Sequence, residues 1–492
     1  MLTRIEVDGF KNLLGFSVEL GPFTCIAGPN GTGKSNVFDV IRFLSLLTDH
    51  EMVEAARLLR SDEERSADPR ELFWTDGVER ADTIRMAVEM IVPKKVHDDF
   101  GRAAVPSSTF LRYELELGYE APSGLATLGS LRLLREELTH ITLGDAANHL
   151  RFPHRANSFR RDVVINKRAG TAFISTTKDN DDNLVIQIHQ DGGSRGQPRP
   201  SPGRTSPRTI VNTVTTSSDP TILAAKREMQ SWRALALEPS AMRRPDRFIE
   251  RAQVAANGAH LAAALYRMAH SPKDPEKPGR AFSKEEIEVH AAAVYARVAM
   301  RLSRLLGVRS VRVDRDDRYE RLTLEIQEHG GGFLPARSLS EGTLRFLALI
   351  LLDEDPESLG LICMEEPENG IHPARMEAMV SLVGEMAVDP DRAPGDDNPM
   401  RQVVVNTHSP RFLQIVHQPG TPWSQEILFA KTATVRRPSG RVARALRLVP
   451  LSGSWRCTPE ERGLSVAQML PYLTQVTGST GDLTELLASD QR

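Results

Sequence analysis

Alternating apolar and polar residues, with one short apolar run, predict β-strands through much of the first half of the chain. The predicted strands cover residues 3–7, 16–20, 23–27, 84–92, 109–118, 131–143 and 184–189. After Gly28 the apolar residues recur at intervals of three and four as far as Leu47, which predicts a helix. A strand, a glycine-rich turn and a helix therefore follow one another before residue 48.

Helical periodicity dominates the second half of the chain. It predicts helices over residues 252–269 and 284–306, followed by strands over 310–313 and 322–326. From residue 339 to 430 helices and buried strands alternate, which is typical of an α/β fold with a mostly parallel sheet. Residues 101–222 are strand-like and lack sustained heptads, so we expect no coiled-coil arm there.

Composition narrows the class of protein. Hydrophobic residues make up 40% of the 492 residues and charged residues 26%, which is ordinary for a globular chain. The longest apolar run is seven residues, 346–352, too short to cross a bilayer. Because the first residues do not form a secretory signal, we expect a cytoplasmic protein without membrane contact. The three cysteines lack metal-site spacing.

The net charge of −3 shows no overall basic bias, so any nucleic-acid contact has to be local. The first candidate is the glycine-, proline- and serine-rich stretch 191–220. Its first part, residues 191–208, contains Arg195, Arg199, Arg204 and Arg208 beside a single acid, Asp191. This stretch is either a flexible surface insertion or a loop that contacts phosphate backbone.

The glycine-rich turn matches the G-x-x-x-x-G-K-[ST] pattern of a phosphate-binding loop between a strand and a helix. The residues we expect to bind nucleotide there are Gly28, Pro29, Asn30, Gly31, Thr32, Gly33, Lys34, Ser35 and Asn36. Glycines let backbone N–H groups close around phosphate oxygens, and the helix N-terminus adds a positive dipole. We expect Lys34 to reach the β- and γ-phosphates and Ser35 to bind Mg²⁺, so the predicted cofactors are ATP and Mg²⁺.

Two carboxylates follow the apolar run 361–364. Glu365 and Glu366 lie at the carboxyl end of a predicted central strand, the edge where open α/β sheets bind ligands. We expect Glu365 to hold the metal and Glu366 to orient or deprotonate the attacking water. The alternative is a helix cap or a solvated strand end.

Two further motifs accompany these. His408 follows the apolar strand 403–405 and is placed to donate to a γ-phosphate, or else it is structural. Ser340 and Gly342 precede the apolar helix 344–352 and offer either an anion site or an ordinary N-cap, which their spacing alone favours.

The order of GPNGTGKS, SLSEGT, LICMEEPENGIHP and NTHSP resembles the ATP-binding-cassette (ABC) ATPases, and more narrowly the RecF/SMC/OLD-like group of AAA family ATPases. The opening segment 5–13 and the segments 237–243 and 257–261 are similar to that group as well. The resemblance implies a P-loop NTPase head of ABC type, with a mixed, mostly parallel sheet, an antiparallel β lobe and a helical and β insert.

The resemblance also implies a division of the chain. Residues 1–100 are expected to form the N-terminal half of the head and 331–450 its C-terminal half. The insert 101–330 is expected to be β-rich over 101–222, helical over 223–306 and stranded over 307–330. Residues 451–492 form a C-terminal extension.

Family roles follow from the same resemblance. The signature segment with Ser340 and Gly342 would act on ATP held by a partner subunit, which implies a head-to-tail homodimer. Lys11 and Asn12 resemble residues that touch nucleotide, although they also fit a solvated turn. The expected catalytic residues are Lys34, Glu366 and His408. At the Walker B position this chain has Glu365, where SMC proteins and transporters usually carry Asp. No glutamine of the chain is assigned to the family's Q-loop.

Three functions stay open for this ATPase. It gates a separate effector, a nuclease or toxin, in bacterial anti-phage defence; or it binds DNA in repair as RecF-like proteins do; or it is a non-hydrolysing scaffold. We expect no fused TOPRIM nuclease, because no Asp-x-Asp pair follows His408.

Overall fold

The computed structural model describes most of the chain. The described residues are 1–59, 68–122, 129–167, 172–179, 181, 183–191, 197–203, 205–273, 280–418, 420–437, 440–458, 463–465 and 467–469. Arg195, Arg204 and most of the predicted extension 451–492 lie outside them.

Strands occur along the whole described chain. They are β1 (Leu2–Asp8), β2 (Phe16–Glu19), β3 (Phe23–Ala27), β4 (Thr83–Ile91), β5 (Val96–His97), β6 (Ala103–Ala104), β7 (Phe110–Glu120), β8 (Ser130–His140), β9 (Ala172–Lys178), β10 (Leu184–Ile188), β11 (Arg199–Pro202), β12 (Arg233–Leu235), β13 (Asp246–Arg247), β14 (Val308–Asp316), β15 (Arg321–Glu328), β16 (Phe333–Pro335), β17 (Gly360–Glu365), β18 (Arg401–Thr407), β19 (Ile427–Arg436) and β20 (Val442–Pro450).

The α-helices are short apart from α9. They are α1 (Ser35–Leu46), α2 (Met52–Leu58), α3 (Ala146–His149), α4 (Arg161–Val163), α5 (Ile210–Thr213), α6 (Pro220–Gln230), α7 (Pro239–Met242), α8 (Leu261–His270), α9 (Lys284–Ser303), α10 (Glu341–Glu354), α11 (Met376–Glu385) and α12 (Pro410–Val416). Among the described residues, no helix combines the length and apolar character needed to cross a membrane.

The first of two compact units comprises residues 1–233, 360–363 and 387 onward. It holds an eight-stranded antiparallel sheet in the order β11-β10-β9-β8-β7-β4-β1-β2. A six-stranded sheet has the order β12-β17-β18-β3-β19-β20, and the division between the units falls inside β12 and β17. In this sheet β3 runs parallel to both β18 and β19, while β20 is antiparallel to β19.

Burial explains the composition of the parallel strands. All five residues of β3 and all seven of β18 are buried, as expected where helices and loops cover both faces of a sheet. By contrast, β1 and β7 alternate buried and half-exposed residues, as expected for a sheet with one solvated face. The predicted combination of a mostly parallel sheet with an antiparallel β lobe is confirmed.

The second unit comprises residues 234–359 and 364–386. Helix α10 is its centre, since every residue from Thr343 to Leu352 is buried and α7, α8, α9 and α11 all pack against it. Strands β14 and β15 pair along their length, and β13 and β16 join the same small sheet. At 20 residues, α9 is the longest helix in the described part of the chain, so no coiled-coil arm appears there.

Two sequence predictions need correction. The helix predicted from residue 252 begins only at Leu261, after a turn in which Gly258 and His260 adopt positive φ. Asp246 fixes this start, because its carboxylate accepts from the Ala263 N–H and lies 3.0 Å from His260 Nδ1. Burial raises the pKa of Asp246.

The described part of the stretch 191–220 contains a strand and a helix, β11 and α5, where a flexible insertion was one of the two predictions. Ile210 and Val211 are buried within α5. Arg199 donates to both carboxylate oxygens of Asp219 at 2.6 Å, and Asp191 accepts instead from the Thr221 N–H. Asp191 and Asp219 therefore both form hydrogen bonds within the fold.

Candidate nucleotide-binding site

The phosphate-binding loop leaves the buried end of β3 in the first unit. Gly28 lies against β19, so that a Cβ there would stand 2.9 Å from the Ala430 carbonyl oxygen. Gly31 and Gly33 have φ of +77° and +95°, a region that side chains disfavour. The three glycines are thus required by a close backbone approach or by the backbone conformation.

Lys34 lies at the point where the loop becomes helix. Its side chain is largely buried, and its Nζ donates to the carbonyl oxygens of Gly28 at 2.8 Å and Pro29 at 2.9 Å. No side chain caps α1, and its first turn carries no acid. The ammonium group and the positive end of the helix dipole therefore face the same loop, which is an arrangement for binding an anion.

Asn12 and Asn36 hold the loop from outside. Asn12 Nδ2 donates to the Thr32 carbonyl at 3.0 Å, and Asn36 Nδ2 donates to Asn12 Oδ1 at 2.7 Å. A Cβ on Gly33 would come within 2.1 Å of Asn12 Nδ2. Asn12 thus shapes the loop, whereas its direct contact with nucleotide stays a prediction.

Lys11, beside it, adopts a positive φ of 45°. Its ammonium pairs with Asp39 on α1 at 2.6 Å. This ion pair ties the turn after β1 to the P-loop helix, and the predicted nucleotide contact of Lys11 likewise stays a prediction.

Asn406, the next-to-last residue of the buried strand β18, lies at this site although the sequence motifs assigned it no role. Its Nδ2 lies 3.4 Å from Ser35 Oγ, and its Oδ1 is buried without a hydrogen-bond partner among the described residues. Hydroxyl and amide oxygens are the ligands that Mg²⁺ prefers, so this pair fits a cation beside the P-loop. Its signal in the sequence is a polar residue directly after the apolar run 403–405.

His408 is the second residue after Asn406 and follows the end of β18, half-buried. Its neighbour Ser409 caps α12 through the Phe412 N–H at 3.2 Å. The first unit therefore brings together the P-loop, the turn with Lys11 and Asn12, and the strand that leads to His408.

The two predicted carboxylates belong to the second unit. Glu365 is the exposed last residue of β17. Glu366 has a positive φ of 47°, and its carboxylate accepts from Asn369 Nδ2 at 2.8 Å. A non-glycine residue in this region is strained by about 1–3 kcal/mol, and such strain concentrates at functional sites.

The signature segment starts α10 in the same unit. Ser340 Oγ accepts from the Thr343 N–H at 3.2 Å, so this residue is an N-cap, as its spacing favoured. A Cβ on Gly342 would stand 3.2 Å from the carbonyl oxygen of Gly370, which places the signature beside the segment after Glu366.

A short part of the chain is similar to a curated protein. The chain is similar to Structural maintenance of chromosomes protein 1 of Schizosaccharomyces pombe, with 39% identity over 72 residues. The match covers 12% of this chain and 6% of that protein, so the chain matches only a small part of the curated relative.

Solved structures of SMC heads are also similar to the chain. The head bound to the C-winged helix domain of ScpA shares 12% identity at a TM-score of 0.43, covering 91% of this chain and 98% of that one. The SMC head domain from Thermotoga maritima shares 11% identity at a TM-score of 0.36, over 91% and 98% of the two chains.

The family comparison covers more of the chain. The matching model spans residues 95–414, which include the signature, both carboxylates and His408, while the P-loop precedes the match. The predicted membership in the AAA family ATPases is confirmed by this match. The chain belongs to the family described as "AAA domain, putative AbiEii toxin, Type IV TA system".

Proposed function

We propose that this chain binds and hydrolyses ATP at the P-loop, with the triphosphate held by residues 28–36. The observation that carries the proposal is the buried Lys34 Nζ on the loop carbonyls in front of an uncapped helix. With ATP present, Lys34 exchanges these carbonyls for β- and γ-phosphate oxygens, because charge-assisted bonds are the stronger ones. Lys11 and Asn12 support the loop from the side.

Magnesium would be held by Ser35 and Glu365, where it would neutralise the developing phosphate charge. Asn406 supports the hydroxyl of Ser35. Glu366 would accept a proton from the attacking water, and its strained backbone fits a fixed orientation for that carboxylate. His408 would donate to the γ-phosphate.

We further propose that two copies close head-to-tail on ATP, with Ser340 and Gly342 acting on the partner's nucleotide. The dimer would gate a separate effector, a nuclease or toxin, in bacterial anti-phage defence in the cytoplasm. The family description, which names a toxin and a type IV toxin–antitoxin system, supports this role.

The test is Glu366→Gln, with the exposed Glu385→Gln in the same unit as the matched control. We expect Glu366→Gln to lower ATP turnover about 100-fold, the usual contribution of a general base. Bound nucleotide should be retained, and light scattering should show more ATP-dependent dimer. Turnover equal to that of the control would contradict the role of Glu366, and a wild type without turnover would favour the non-hydrolysing scaffold.

A further inference from the structure

The hairpin of β19 and β20 has an unusual charge distribution. Residues 427–450 contain no acid, although the chain as a whole carries a net charge of −3. The basic residues of this hairpin are Lys431, Arg436, Arg437, Arg441, Arg444 and Arg447. A local, single-sign field of this kind attracts polyanions to one surface.

Part of this charge serves the fold. Arg441 pairs with Asp76 at 3.2 Å, and the Arg437 guanidinium lies 4.8 Å from the centre of the Trp74 ring. Arg447 donates to a backbone carbonyl at 2.9 Å.

The remaining cations face solvent. Lys431, Arg436 and Arg444 are exposed, and none forms an ion pair with another residue in the described part of the chain. Long basic side chains without acidic partners are free to neutralise an external anion, since no internal ion pair has to be broken.

The register gives these side chains a common face. Arg436 is opposite Val442 and Thr434 is opposite Arg444, so these four side chains project from the same side of the hairpin. Thr432 adds a second exposed hydroxyl on that side. We name this surface the basic hairpin face.

Both strands of the hairpin touch the segments that shape the P-loop. Ala430, the residue before Lys431, lies against Gly28, where a Cβ would be 2.9 Å from its carbonyl oxygen. On the other strand, the Leu446 N–H donates to the Asn12 carbonyl at 3.1 Å. A ligand on the hairpin would therefore act on strands in direct contact with the nucleotide loop.

We propose that the basic hairpin face binds the phosphate backbone of nucleic acid without reading its sequence. Arginines and threonine hydroxyls are the groups that contact phosphate oxygens in such complexes. A two-stranded ribbon is also a known shape for contact with a duplex. A membrane is disfavoured, because Val442 is the only exposed large apolar side chain among the described residues of this face, and interfacial binding needs a buried apolar area.

This inference goes beyond the proposed ATPase function and does not depend on it. The test is fluorescence anisotropy of the full chain with a short DNA duplex over a range of salt concentrations. We expect the logarithm of the affinity to fall with the logarithm of the salt concentration with a slope of about −1.8, from the two phosphate contacts of Arg436 and Arg444. Arg436→Ala/Arg444→Ala should weaken binding at least about tenfold and make the slope shallower by about 2.

The matched control is Arg309→Ala/Arg318→Ala, which removes two exposed arginines from the acid-rich hairpin of β14 and β15 and should bind like wild type. Melting temperatures check that both double variants fold. Absence of duplex binding by the wild type, or equal loss in the two double variants, would overturn the proposal. Binding to anionic vesicles but not to duplex would do the same. Lys34→Ala should still bind duplex, which separates this test from that of the ATPase.

Discussion

Helices α1 and α10 both begin in a glycine-bearing motif, but their N-termini are used differently. At α1 no side chain caps the helix, and a lysine ammonium lies across the preceding loop. At α10 the hydroxyl of Ser340 already accepts from a backbone N–H of the first turn, and Glu341 adds a negative charge there. The N–H groups at the start of α1 are available to an anion. At the start of α10 the Ser340 hydroxyl already accepts from one of them.

Helix α5 shows how a side chain can accept from the N–H groups at a buried helix N-terminus. In the first unit, the Glu136 carboxylate accepts from the N–H groups of Ile210 and Val211 at the start of α5, at 2.6 and 3.0 Å. Lys226 donates to the Asn212 and Val214 carbonyls at the other end of this helix. Side chains of the chain therefore occupy both ends of α5. By contrast α1, like α6 and α8, starts without a side-chain cap, and it differs from those two helices by the Lys34 ammonium on the loop before it.

The largest effect that we expect comes from Lys34→Ala. Removal of the ammonium should lower the affinity for ATP at least about 100-fold, since a charge-assisted contact to phosphate contributes about 1.5–3 kcal/mol and more than one is lost. Isothermal titration with a non-hydrolysed ATP analogue measures this. Affinity within threefold of wild type, in a variant with an unchanged melting temperature, would remove the distinction between α1 and α10.

Gly33→Ala should lower the affinity for ATP, but by somewhat less than Lys34→Ala does. The new methyl group would meet Asn12 Nδ2 at 2.1 Å, so the loop has to move away from the geometry that closes on phosphate. Gly31→Ala is the control, because its φ is also positive but nothing lies within 4 Å of the added atom. We expect the affinity for ATP to fall about tenfold more in Gly33→Ala than in Gly31→Ala. Equal losses would show that backbone strain alone matters.

Ser340→Ala should affect stability rather than nucleotide affinity. Loss of the cap at α10 is expected to lower the free energy of unfolding by about 1 kcal/mol. ATP affinity of the dilute chain should stay within twofold of wild type, because the capped helix start is not the site of its own nucleotide. A large loss of affinity, measured by the same titration, would contradict this difference between the two helices.

The smallest effect concerns α5 and depends on pH. Burial raises the pKa of Glu136 from 4.5 to about 7, outweighing the two N–H groups and the Tyr113 hydroxyl that favour the ionised form. The folded state therefore binds more protons than the unfolded state in this window, so Glu136 makes stability fall as the pH rises from 4.5 to 7.

Glu136→Gln should flatten that part of the profile of unfolding free energy against pH, as measured by denaturant titration. The exposed Glu120→Gln on β7 is the control and should leave the profile unchanged. An unaltered profile in Glu136→Gln would mean that Glu136 remains ionised throughout.

Local patterns predicted the elements that carry the nucleotide motifs. The strand before Gly28 and the alternation of helices and strands from residue 339 follow from apolar spacing, because each buries one face or two. The P-loop was recognisable because its glycines, lysine and serine have a fixed spacing. Capping of α10 by Ser340 was likewise a local property of the sequence.

Contacts between distant segments could not be predicted in this way. Asn406 meets Ser35 across 371 positions, and Glu136 meets Ile210 across 74, distances over which spacing carries no information. The absence of acids from residues 427–450 is a property of the sequence, but which of the cations in this segment are exposed is not. Arg199 is already paired with Asp219, so we expect phosphate contact at the basic hairpin face rather than at the arginines near Asp191.

Hydrogen–deuterium exchange with and without an ATP analogue tests the central claim most directly, since it compares the two helix starts in one dilute sample. The account predicts that nucleotide slows exchange of the backbone amides at residues 28–36 and leaves residues 338–344 unchanged until the concentration permits dimers. Protection of residues 338–344 without protection of 28–36 would contradict it.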